Sequence, residues 1–145
     1  MTFHDLPPGW PTRSLDDPVL AADVVDLVVR ESDRADRCIA LLLCDDDGRM
    51  IQPVTVGEMP SPSTEEERKQ LFDAFLGHLG GAFAGLVLAV GAPSGRAPDD
   101  DARAWHETGM ARCRDAGVRL IATYLATHDA VTLMPSWVQQ DRLAG

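Results

Sequence analysis

The chain is poor in positive charge. In 145 residues, 13 Lys and Arg stand against 23 Asp and Glu, a formal net charge of −10. Such a balance repels phosphate backbones, so nucleic acids and anionic membrane surfaces are poor partners unless a local basic patch exists. The sequence offers none, because Arg96, Arg103, Arg112, Arg114 and Arg119 are interleaved with acids. Cysteine is sparse too: Cys38, Cys44 and Cys113 are odd in number and widely spaced, with no CxxC pair and no zinc-finger spacing to histidine. Cys38 and Cys44 fall in an apolar run, where a free cysteine acts as a small hydrophobe. No apolar run approaches the roughly 20 residues that cross a bilayer. The first residues lack the basic-then-apolar order of a signal peptide, so the expected location is the cytoplasm. GxSxG, HExxH, Walker and dinucleotide patterns are missing, as are internal repeats and low-complexity tracts.

What remains has the balance of a soluble globular protein, with 45% hydrophobic and 25% charged residues. Its length is that of one domain, which buries roughly 70% of its extended-chain surface. Residues 1–16, with Pro7, Pro8, Gly9 and Pro11, read as an extended arm before a single domain over 17–145. Trp10 in that arm is suited to docking on the body or on a neighbouring subunit.

A capping aspartate at 16 or 17 followed by Pro18 opens a helix, and Leu20, Val24, Leu27 and Val28 carry it to about Ser32. Arg37–Cys44 reads as a buried strand, Asp45–Gly48 as a hairpin turn and Arg49–Val56 as the returning strand, placed at an edge or bulge by Pro53. The turn lacks the terminal glutamate of a 12-residue calcium loop. Ser63 with Glu66, or Thr64 with Glu67, forms a capping box for a second helix. Its apolar face is Leu71, Phe72, Phe75, Leu76 and Leu79, and Gly80-Gly81 ends it. His78 has no second histidine at helical spacing and reads as a surface or boundary residue.

Phe83–Val90 is apolar enough for a central strand covered on both faces. A Pro93-Ser94-Gly95 turn follows, and Asp99–Asp101 open a third helix that runs to about Ala116 and ends at Gly117. Gly109 weakens its middle, as a close packing contact would require. Val118–Leu125 and Ala130–Met134 are the last strands, and Trp137 and Val138 stand out in a polar tail. The order α-β-β-α-β-α-β-β predicts an α/β domain with a central mixed sheet of about five strands flanked by three helices.

In this order, LLLCDDDGRMI, the helix from Ser63, LVLAVGAPSGRAP before an acidic helix start, Thr108 inside that helix, and AGVRLIATYL resemble the RadC-like branch of the JAB/MPN metalloprotease superfamily. The resemblance covers residues 33–134 and implies that superfamily's cytidine-deaminase-like architecture. In active members the strand ends in His-x-His-Pro-Ser-Gly, and the two histidines point to one side of the strand and share a zinc. A helix aspartate is the third ligand, and a hairpin glutamate activates the metal-bound water. Here Val90 and Ala92 hold the histidine positions. The aspartate falls on Arg103, or on Asp101 if the loop is two residues shorter, and the glutamate falls near Arg37 beside Asp36. An arginine stays protonated and cannot serve as that base.

The resemblance therefore implies a catalytically inactive domain without metal or cofactor, working through a protein partner or as a homodimer. Of the three tryptophans, Trp10, Trp105 and Trp137, the two near the chain ends, Trp10 and Trp137, suit interface anchors. The alternative is an enzyme or small-ligand-binding protein that uses the same cleft with replaced residues, lined by Arg37, Ser94, Arg96, Asp101 and Arg103, whose arginines suit a carboxylate or phosphate. A metal site shifted to Asp99–Asp101 and His106 is a further option. Nucleic-acid binding conflicts with the net charge.

Overall fold

Every residue of Cys38–Cys44 (β1) and of Gly85–Gly91 (β3) is buried, and their side chains alternate between two separate cores. Ile39, Leu41, Leu86, Leu88 and Val90 meet Phe72, Trp105 and Cys113 on one face. Ala40, Leu42, Val87 and Ala89 meet Leu20, Val24 and Val25 on the other. This is why both strands read as unbroken apolar runs: neither face of these two central strands is wet. The computed structural model of the chain describes residues 9–79 and 81–134, without the side chains of His78 and Leu79. His4, the helix end at Gly80, and Trp137 and Val138 lie outside the described residues.

Among the described residues the sheet is mixed and has five strands in the order β2-β1-β3-β4-β5, with β2 at Met50–Gly57, β4 at Arg119–Ala126 and β5 at Val131–Leu133. Only β3 and β4 are parallel. Their connection is the helix Asp100–Ala116 (α4), the kind of crossover a parallel pair demands. Pro53 does lie on an edge strand, opposite Leu42. The β1–β2 turn is built by Asp45, whose Oδ1 accepts from the amides of Asp47 and Arg49 at 2.9 Å each.

Helices Glu65–Leu79 (α3) and α4 cover one face and Pro18–Val28 (α1) covers the other. Gly109 lets α4 sit close: a Cβ there would lie 3.1 Å from Leu88 Cδ2 and 3.2 Å from Phe72 Cζ. Of the two possible capping boxes for α3, Thr64–Glu67 forms, with Glu67 Oε1 accepting from Thr64 N at 2.8 Å and Thr64 Oγ1 from Glu67 N at 3.1 Å. Asp99 caps α4 by accepting from Ala102 N at 2.8 Å. At its other end Gly117 adopts φ 73°, while Gly117 N donates to Arg114 O and Val118 N to Cys113 O. That paired closure requires a left-handed residue.

Two expectations are corrected. The first helix does not run to Ser32; it stops at Val28, and a five-residue helix, Glu31–Ala35 (α2), follows. The cause is Arg34, whose guanidinium takes the carbonyls of Asp26 and Val29 that another helical turn would have used. Among the described residues there are accordingly four helices, not three, besides a short 3₁₀ turn at Trp10–Thr12. The end of the expected arm packs on the body. Trp10 lies against the α1-side core, Leu15 is buried within it, and Leu15 N donates to Gly48 O at 2.8 Å. Among the described residues, no helix is long and apolar enough to cross a membrane.

Candidate functional site

The carboxyl end of β3 is where a ligand site is expected in an α/β sheet. Positions 90 and 92 lie two apart on the strand and do face one side, towards α3 and α4. Val90 is 6% exposed and Ala92 8%, in the same core as Ile39, Ala102, Trp105 and Leu125. Gly91 between them faces the other way, with no side chain, against Cys38 Sγ and Val29. Val90 and Ala92 thus present side chains without a lone pair, packed in apolar surroundings. The residues present do not fit a zinc ion.

The turn beyond is fastened to the β4–β5 turn. Ala92 N donates to Ala126 O at 3.0 Å. Thr127 Oγ1 donates to Gly95 O at 2.6 Å, and Gly95 N donates to Asp129 Oδ2 at 2.7 Å. Beneath them Arg34, 3% exposed, donates to Thr127 O at 2.9 Å and to Asp26 Oδ1 at 2.9 Å. Glu31 contacts His128 Nδ1 from α2. Strand end, turn and short helix therefore form one hydrogen-bonded plug.

The five candidate cleft residues are only partly brought together. The register Cys38↔Gly91 puts Arg37 at the same end of the sheet as Ser94 and Arg96, both exposed. Arg37 sits at φ 62°, the reversal between α2 and β1, and its carbonyl accepts from Met59 N. Asp101 turns to α3, where its Oδ1 accepts from Ser63 N at 2.8 Å and Ser63 Oγ at 2.6 Å. Arg68 completes that junction, donating to Ser63 O and Oγ at 2.9 Å each and to Thr108 Oγ1 at 3.2 Å. Arg103 folds back on its own helix, donating to Pro98 O at 3.0 Å and Asp100 Oδ1 at 3.1 Å. Asp101 and Arg103 thus serve the start of α4.

His106 is buried against β4, with Nδ1 and Thr123 Oγ1 2.6 Å apart. It does not join Asp99, which caps α4, or Asp101. Among the described residues, no three His, Cys, Asp or Glu side chains are grouped as they would be around a metal.

The thiols are chemically quiet. Burial pushes Cys38 up to about 11, with Asp33 adding to the effect, and Cys113 up to about 12. Burial, reinforced by Asp45, takes Cys44 to about 12. Tyr124, whose hydroxyl donates to Pro18 O at 3.3 Å, is raised to about 12 by burial and by Asp17.

The open surface is elsewhere. A groove of about 380 Å³ runs beside β4, walled by Leu15, Pro18, Leu120, Ile121 and Leu133 and floored by His106 and Thr123. None of the five candidate residues lines it. Sequence reasoning missed Arg34, Thr127 and this groove. Arg34 lies in a polar stretch that reads as surface, and the groove exists because β5 is short, a tertiary fact without a local motif.

No family model, curated protein or solved structure matches the chain.

Proposed function

We propose that this chain is a catalytically inactive member of the RadC-like branch of the JAB/MPN superfamily, with its cytidine-deaminase-like architecture, acting as a protein-binding or scaffold module. The observation that carries the reading is the closed apolar patch at Val90 and Ala92. A hydrolase of that kind needs lone pairs and an open coordination position at those two places. Here the site of chemistry has become core, and Asp101, one of the two candidates for the third ligand, holds Ser63 instead. Hydrogen bonds through Thr127, Asp129 and Arg34 make the strand end rigid, which suits a surface that presents itself to a partner.

The competing reading, an anion-binding cleft, is less well supported because Arg103 is turned to Asp100 and Pro98. Elemental analysis of protein purified without added metal tests the proposal. Substoichiometric zinc is expected, and one tightly held equivalent would overturn it.

A further inference from the structure

We propose that the outer edge of β4, from Arg119 to Ala122, receives an extended partner segment in which apolar residues are followed by a basic one. The inference deepens the protein-binding reading by naming a surface for it. Three observations carry it.

The first is the unfinished sheet. β5 pairs only with Tyr124–Ala126, and Met134 N reaches Thr123 O at 2.8 Å. Among the described residues, nothing pairs with Arg119–Ala122 on that side. Four residues span about 13 Å of strand. Backbone groups along such an edge are a template for an added strand.

The second is the groove alongside, where Leu15, Leu120 and Leu133 offer apolar walls to the side chains of that strand. Leu133 is 50% exposed, a large apolar residue left open at the groove's wall.

The third is charge. At the amino end of β4 the groove meets a second depression, sharing Ile121 with it and lined by Asp45, Asp46 and Arg119. Arg119 already pairs with Asp16, and Asp47 nearby pairs with Arg49. Asp45 and the exposed Asp46 leave this end acidic. A segment running antiparallel to β4, as β5 does, meets the apolar part first and the carboxylates last. Opposite charge at that end fixes its direction and register.

The test uses the full ¹⁵N-labelled chain and two blocked heptapeptides of alternating valine and threonine, one ending in two lysines and one in two glutamates. The lysine peptide is expected to shift the amides between Arg119 and Thr123 saturably, and to bind about tenfold more tightly than the glutamate peptide. Asp46→Lys, on an exposed turn, should abolish that preference while leaving the spectrum of the fold intact. No shift at millimolar peptide, or equal binding of both peptides, overturns the proposal. So do nuclear Overhauser contacts in the free chain from residues beyond Met134 to Leu120, which would make the chain its own occupant. Shifts of the same amides on dilution would make the occupant a second copy, with the same consequence. Failure of this site leaves the zinc result, and the reading it tests, unaffected.

Discussion

Asp101 and Ser63 lock the starts of two helices together: one carboxylate oxygen accepts from the Ser63 amide at 2.8 Å and from its hydroxyl at 2.6 Å. The pair lies 38 positions apart in sequence and partly out of water. Hydrogen bonds to a charged acceptor are worth about 1.5–3 kcal/mol. Asp101→Ala should lower unfolding free energy by about 2 kcal/mol, measured by urea denaturation, and Ser63→Ala should cost a similar amount, because it removes the hydroxyl that donates to Asp101 and accepts from Arg68. The double variant should cost less than the sum, since both remove the same contact.

Arg34 is the keystone of the plug under the Pro93–Gly95 turn. It is 3% exposed and engages Val29 O, Thr127 O, Asp26 O and Asp26 Oδ1. Arg34→Met strands those acceptors, and breaking such a buried arrangement costs about 3–5 kcal/mol. Arg34→Lys should recover less than half of it, because an ammonium cannot match the planar fork. Thermal unfolding of the three proteins decides this.

Reactivity and pH stability follow from the buried thiols and Tyr124. At pH 8 the folded protein should leave a thiol reagent untouched, whereas the unfolded chain should titrate all three cysteines. Folded-state values of about 11 for Cys38 and about 12 for Cys44 and Cys113 lie above the ordinary 9.0. Tyr124 lies at about 12 against 10.0. Raised values mean that the native state holds its protons longer, so this stabilisation is complete below pH 9 and is lost as pH rises towards 11–12. Denaturation midpoints should therefore fall steeply above pH 9, and the fall should lessen in Cys113→Ala after allowance for the cavity.

Gly117 closes α4 at φ 73° with nothing near its missing side chain. Gly117→Ala should cost about 1 kcal/mol through backbone strain alone, with no change in the spectrum elsewhere. Arg37 has the opposite status, a side chain held at φ 62°. Arg37→Gly should leave stability level or raise it by up to about 1 kcal/mol, and a loss larger than that would mean its guanidinium makes a contact of value.

Much of the architecture was legible because local signals agreed with tertiary ones. The apolar runs at Cys38–Cys44 and Gly85–Gly91 are both-face-buried strands, and Pro53 marks an edge. Asp99 and Gly117 bracket α4 where capping chemistry placed them. The site was harder to read because it depends on partners far along the chain. Nothing near Arg34 announces burial; its acceptor at Thr127 is 93 residues away. Asp101 and Arg103 looked like cleft residues from their positions after the turn, yet each had a nearer use at a helix start. A charged side chain's direction is set by the acceptors folding brings to it, and sequence spacing does not carry that information.

The end of β3 is closed by hydrogen bonds to the β4–β5 turn. Hydrogen exchange at the amides of Ala92 and Gly95 tests this closure most directly, since these donate to Ala126 O and Asp129 Oδ2 across the place where a cleft would open. Ala92 should exchange only with global unfolding, and Gly95 should be clearly protected. Exchange of both at the rate of an unstructured peptide would mean that the strand end is open, not closed.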